Sequence, residues 1–169
     1  MEEEKDVIDK LIVEWKKERP ELNTEAMQIV GRIIKIGKIL ERRASNILRD
    51  SGIYYTDLDV LATIRRSGKP YELTPKQLME SVLITSGAMT ALLDRLTKLK
   101  LVYRATDKKD GRIKLAGLTE KGISIIDEAI EVRFKEANLS VEIFNKKEHL
   151  ILSSLLKKLL ISLEPNSLK

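Results

Sequence analysis

The chain has 169 residues, a formal charge of +5, 43% hydrophobic and 34% charged residues, and no cysteine. That length supports one domain, or one domain with helical extensions, and the missing thiols exclude disulfides, zinc fingers, iron–sulfur clusters and cysteine redox sensing. An aromatic content of 4% argues against single-strand binding by base stacking.

The opening MEEEKDVIDK is acidic where a signal peptide needs a basic start, and no apolar run approaches about 18 residues, so the chain reads as cytoplasmic with no membrane segment. Val7, Ile8, Leu11, Ile12 and Trp15, spaced by three and four, predict an amphipathic helix over 6–17 in which Trp15 is a packing anchor. Pro20 ends it by removing a backbone donor and pushing Arg19 from helical angles. A longer helix over 24–50 carries Ala26, Val30, Ile33, Gly37, Leu40, Ala44 and Ile47, widened by Ile29, Ile34, Ile36 and Ile39, and Gly52 is its stop. So broad a face needs more than one partner.

Thr56 is the expected cap of a short helix over 57–66 that buries Leu58, Leu61, Ala62 and Ile64. SGKPYEL reads as a loop, and Thr74 caps PKQLMES with Pro75 at its first position. Thr85 or Ser86 caps a helix that runs to residue 99 on an inner face of Met89, Leu92, Leu93 and Leu96. Strands at 101–106 and 113–118 flank DKKDGR, whose Gly111 suits a positive-φ turn position. Thr119, Glu120 and Gly122 then open a helix with Ile123, Ile126, Ile130, Phe134 and Ala137, and a last helix over 146–163 carries Leu152, Leu155, Leu156, Leu159, Leu160 and Leu163 before Pro165. The fold class is mainly α with a small β component: about six helices and a two- to three-stranded β-wing, the order of a winged helix-turn-helix.

Charge singles out the same stretch. Between Thr85 and Leu118 stand eight basic residues against three acidic ones, an excess equal to the +5 of the whole chain. Concentrating cations on one presentable element suits a polyanion, because phosphate contacts release condensed counterions. In a helix-turn-helix the second helix offers its N-terminal residues to the major groove, here Thr85, Ser86, Gly87 and Thr90; these hydroxyls equally serve as caps. Arg95 lies further along and could contact phosphate or hold the wing. Lys108, Lys109, Asp110 and Arg112 make the hairpin tip, where Arg112 is a long cation suited to a narrow minor groove. Asp110 is expected to orient Arg112, and Asp107 to do the same for Arg95 or Arg104.

The run MTALLDRLTKLKLVYRATDKKDGRIKLAGLTEKG resembles the signature of the MarR family of transcription regulators, a D-x-x-D-x-R wing before an L-T-x-x-G helix start, matched here by Asp107, Asp110, Arg112, Leu118, Thr119 and Gly122. EWKKERPELNTEAMQIVGRIIKIGKILERR is also similar to the opening of many members. The resemblance implies a homodimer whose first and last helices interlock, on a pseudo-palindromic double-stranded DNA operator. It further implies a small aromatic effector bound between the dimerisation and DNA-binding parts, with Trp15, Ile36, Leu40, Tyr54 and Tyr55 as candidate linings, each of which also reads as core. The expected division is 1–52 for dimerisation, 53–122 for DNA binding and 123–169 for dimerisation.

The function expected is a dimeric, sequence-specific repressor; the alternative is a nonspecific chromosome-associated winged-helix protein with the same basic surface. An enzyme finds little support. His149, the single histidine, has no partnered nucleophile or metal-ligand spacing, and the two GK pairs lack a phosphate-loop pattern, so no metal or cofactor is expected.

Overall fold

Asp6 opens the first helix, α1 (Val7–Glu18): its carboxylate accepts from the Ile8 and Asp9 amides at 2.7 and 3.0 Å, and the Asp9 side chain accepts from the Asp6 amide at 3.0 Å. This reciprocal cap satisfies amides that a helix start leaves without partners. The computed structural model describes residues 4–82, 85–107 and 109–164, which fall into two units, one to Tyr55 and one from Thr56.

In the first unit α1 packs on α2 (Glu25–Ile47), with Ile8 and Ile12 buried and Ile8 resting against Gly31. Arg32 of α2 reaches back to both capping carboxylates, Asp6 at 2.7 Å and Asp9 at 2.6 Å, which hold its proton more tightly. Helix α2 continues through a 3-10 turn at Arg49–Ser51 and stops at Gly52, whose φ is +69°. Trp15 is no packing anchor within this chain: it is 52% exposed. The apolar face of α2 is also largely open, with Ile29, Val30, Ile33, Ile34 and Ile36 exposed.

The second unit begins one residue into α3 (Tyr55–Arg66) and holds the rest of that helix with β1 (Glu72–Leu73), α4 (Pro75–Ser81), α5 (Ser86–Lys98), β2 (Val102–Thr106), β3 (Lys114–Leu118), α6 (Glu120–Val141) and α7 (Lys146–Leu163). Helix α3 begins before Thr56, so that residue lies inside the helix and caps nothing; Ala62 is only half-buried. Thr74 caps α4 in a reciprocal bond with Gln77, and Thr85, not Ser86, caps α5. Leu61, Ile64, Leu78, Met89, Leu93, Leu96 and Ile126 are fully buried and form the core on which α3, α4, α5 and α6 meet. None of the seven described helices is long and apolar enough to cross a membrane.

The sheet is antiparallel in the order β1-β3-β2. Two residues of SGKPYEL therefore form a strand rather than a loop, with Glu72 opposite Gly117 and Leu73 opposite Ala116. Tyr103 of β2 faces Gly117 from the other side, lays its ring across that residue and donates its hydroxyl to Glu72 at 2.7 Å. A Cβ at residue 117 would stand 2.3 Å from the Tyr103 ring, so glycine is what lets one side chain brace all three strands. The accepting Glu72 carboxylate also pushes the Tyr103 hydroxyl above its usual pKa.

Helix α6 starts against the end of α5. The Thr119 hydroxyl accepts from the Gly122 amide at 2.9 Å and donates to the Lys100 carbonyl at 2.7 Å, while Lys121 donates to the Leu99 carbonyl at 3.1 Å. Further along, Asp127 takes a two-pronged bond from Arg65 of α3 at 2.8 and 3.1 Å. Helix α7, capped by Asn145, buries none of its residues, and Leu150, Leu155, Leu156, Leu160 and Leu163 stand exposed. On α6, Phe134 and Leu139 are exposed as well.

Candidate nucleic-acid interface

Alternation of buried and exposed positions divides α5 into two faces. Met89, Leu93 and Leu96 point into the core, whereas Thr85, Ser86, Gly87, Ala88, Thr90 and Ala91 are all exposed. The Thr85 hydroxyl accepts from the Ala88 amide at 3.3 Å, and the Thr90 hydroxyl donates to the Ser86 carbonyl at 3.1 Å. What results is a helix start with short side chains, able to approach a surface closely, whose first-turn amides carry the positive end of the helix dipole. Ala88 and Ala91 belong to this smooth face. Neither is among the residues expected there from the sequence, although their spacing from Gly87 and Thr90 puts them on the same face.

The turn after β2 is built by its aspartates. Asp107 accepts from the Lys109 and Asp110 amides at 2.7 and 3.0 Å, and its own amide donates to the Ile113 carbonyl at 2.9 Å. Those amides, Asp110 first and then Lys109, hold the Asp107 carboxyl below the usual range. Asp107 thus shapes the turn and orients neither Arg95 nor Arg104. Gly111 does not adopt the left-handed conformation expected of it; the side-chain bonds of Asp107 and Asp110 do the turning.

Arg112 projects from this frame with 92% of its side chain exposed, and Asp110 grips it through Nε at 3.1 Å and a terminal nitrogen at 3.2 Å. The arginine depresses the Asp110 carboxyl, aided by the Arg112 amide at 3.0 Å. Lys109 is exposed beside them; Lys108 lies outside the described residues. The tip therefore offers two described cations on a short, internally bonded support.

Arg95 occupies a different position from the other candidates. It pairs with Asp57 of α3, whose side chain is completely buried, and one third of its own side chain remains exposed. Asp57 was not singled out from the sequence. Its signal was there: it shares the helical stripe of Val60, Leu61 and Ile64, where an acid needs a cation. Arg104 of β2 takes Asp94 of α5 as its partner, at 2.7 Å.

The five candidate ligand-lining residues lie in the first unit. Trp15, Ile36 and Tyr54 are more than half exposed, whereas Leu40 and Tyr55 are half-buried. A cavity of about 530 Å³ in that unit is lined by Glu4, Lys5, Asp6, Asp9, Ile12, Val13, Lys16, Gln28 and Arg32, none of the five. His149 sits exposed in the first turn of α7, its Nε2 bonded to the Val141 carbonyl at 2.9 Å and its ring edge-on to Phe144.

Known proteins are similar to this chain in sequence and in fold. A family model described as "MarR family" matches residues 51–113, which hold α3 to the wing tip. The transcriptional regulator PecS of Dickeya dadantii is 26% identical over 88% of this chain and 90% of its own. SarZ of Staphylococcus aureus, another transcriptional regulator, is 34% identical over 64% of this chain and 67% of its own. Among solved structures, a cysteine-to-serine variant of MarR from E. coli, complexed with operator DNA, superposes with a TM-score of 0.72 at 26% identity, covering 83% of this chain and 99% of that one. These relatives are regulators rather than enzymes, and this chain matches them in sequence and in fold: it belongs to the MarR family of DNA-binding transcription regulators.

Proposed function

We propose that this regulator works in the cytoplasm as a homodimeric repressor, setting two α5 helices and two wings on a pseudo-palindromic operator. One observation carries the dimer: α7 buries nothing, yet turns Leu150, Leu155, Leu156, Leu160 and Leu163 outward, beside exposed Phe134 and Leu139 of α6. So large an apolar surface is not left to water in a stable soluble state, and a second copy offers the same surface with two-fold symmetry. In this reading Thr85, Ser86, Gly87 and Thr90 approach the major groove, and Lys109 and Arg112, with Lys108, approach the neighbouring minor groove.

Sedimentation of the full chain, combined with selection of bound duplexes from a random pool, tests both halves. The expected result is a dimer that enriches a short inverted repeat, with affinity falling steeply as salt rises. A monomer at micromolar concentration would overturn the dimer. Equal binding to selected and random duplex would point instead to a nonspecific chromosome-associated protein.

A ligand response is proposed as well: a small aromatic acid or phenol lowers operator affinity by binding at Trp15, Ile36, Leu40, Tyr54 and Tyr55. Tryptophan fluorescence tests it directly, since Trp15 is the chain's single tryptophan. Saturable quenching by salicylate that also releases the operator supports the site; release without any change at Trp15 places it elsewhere.

A further inference from the structure

Two adjacent residues of α5 tie it in different directions. Asp94 holds Arg104 of β2 at 2.7 Å, with 59% and 36% of their side chains exposed, so the pair adds little stability by itself. Arg95 turns about 100° further round the helix and meets Asp57 of α3.

This second pair is of another kind. A carboxylate with no exposed surface is costly unless a cation meets it, and apolar residues in place of a buried ion pair are often neutral or stabilising. Packing alone therefore gives no reason for an acid beside Val60, Leu61 and Ile64. What the pair adds is direction. A guanidinium meets a carboxylate over a narrow range of angles, so it fixes how far α5 is rolled against α3, whereas leucines tolerate several settings. Nine positions separate Arg95 from Ser86 and five separate it from Thr90, which puts the anchor about 180° and 140° from those residues around the helix. A small roll at the anchor is therefore a roll of the exposed face.

We propose that Asp57 and Arg95 are positioning residues for operator recognition: their buried pair sets the roll of α5 about its axis and so selects which short side chains face the bases. Asp94 and Arg104 carry the same setting to the wing. Arg95 acts through Asp57 rather than by touching phosphate.

The test compares Asp57→Asn, Arg95→Gln, Arg95→Lys and the Asp57→Asn/Arg95→Gln double variant of the full chain, each checked for fold by circular dichroism. Binding to a duplex selected by the wild type and to a scrambled duplex is followed by fluorescence anisotropy across a salt series. Each single variant is expected to lose ~10-fold in affinity for the selected duplex, an amount typical of one misread base pair. The double variant should lose no more than the worse single one, because both break one interaction. Binding to scrambled duplex and the salt slope should stay at wild-type values, since no phosphate contact is removed.

Arg95→Lys separates the roles: lysine keeps a point charge for phosphate and lacks the fork, so it should behave like Arg95→Gln. A salt slope lower by about one, equal losses on both duplexes and a neutral Asp57→Asn would make Arg95 a phosphate contact and overturn the inference. Lower melting temperatures with undiminished discrimination would overturn it too, leaving a purely structural pair. Should Arg95→Gln fail to fold, Asp57→Asn and Arg95→Lys decide between the same outcomes. A wild type that selects no sequence would end the operator reading and this inference together, whereas selection by wild type and variants alike ends this one alone.

Discussion

Gly122 lies so close to the carbonyl of Leu101 that a Cβ on it would stand 2.0 Å from that oxygen. The oxygen has little freedom to withdraw, because it accepts the Thr119 amide at 3.1 Å and lies 3.3 Å from the Thr119 hydroxyl. Gly122→Ala must push α6 away from the end of α5 and lose those bonds. The expected loss is about 3 kcal/mol of folding stability, read from urea denaturation. An alanine variant as stable as wild type would show that the two helices can separate freely.

Lys100, the residue after the Leu99 C-cap of α5, has a φ of 58°, in the left-handed region where a side chain crowds its own backbone. Its amide bonds to Thr97 at 2.9 Å and the next amide, of Leu101, reaches Leu96 at 3.0 Å, so the conformation is held by the helix end. Lys100→Gly is expected to raise stability by about 1 kcal/mol, seen as a higher melting temperature. No gain would mean that the stem of Lys100 contributes packing that offsets its strain.

Arg112→Ala is expected to weaken operator binding by about 1 to 3 kcal/mol. Melting temperature and sedimentation should stay as in the wild type, because the side chain is 92% exposed and its bonds go to Asp110 within the same turn. Unchanged affinity would make the tip a spectator.

The wing also has a pH signature. Asp107 and Asp110 both titrate below the ordinary aspartate value of about 3.9, so their folded-state values lie under those of the unfolded chain. Such groups support the turn above the unfolded value, and the support is lost as the pH falls through the folded one. Carbon-detected NMR of the carboxyl groups should show Asp110 titrating low in the wild type and moving upward in Arg112→Ala. Titration of Asp110 at the same pH in both proteins would contradict the arginine's part in it.

Helix order, the wing and the exposed start of α5 were legible in the sequence because each rests on short-range pattern: a three-four apolar spacing, a capping threonine, alternating strands around DKKDGR. The last helix shows the expected bounds, 146–163, because its leucines recur at helical spacing; the Asn145 cap that starts it is visible only in the structure. Non-local pairings escaped. Glu72 and Leu73 become a strand only because β3 lies beside them, more than forty residues on. Arg95 finds Asp57 from 38 residues away, so a local reading could only assign it to phosphate or wing. Asp107 was misassigned for the opposite reason: amides two and three residues ahead claim its oxygens before any distant arginine can.

The bond between Asp110 and Arg112 has a thermodynamic side. A long, free arginine surrenders most of its rotamer entropy when it is pinned against a binding partner, on the order of 2 kcal/mol. Arg112 has already given up part of that freedom, because both arms of its fork rest on one carboxylate. The same carboxylate weakens the local positive potential and would slow approach to a phosphate backbone. Wing-tip association would therefore show a smaller entropic penalty and a weaker long-range pull than an unpaired arginine, a trade of speed for order.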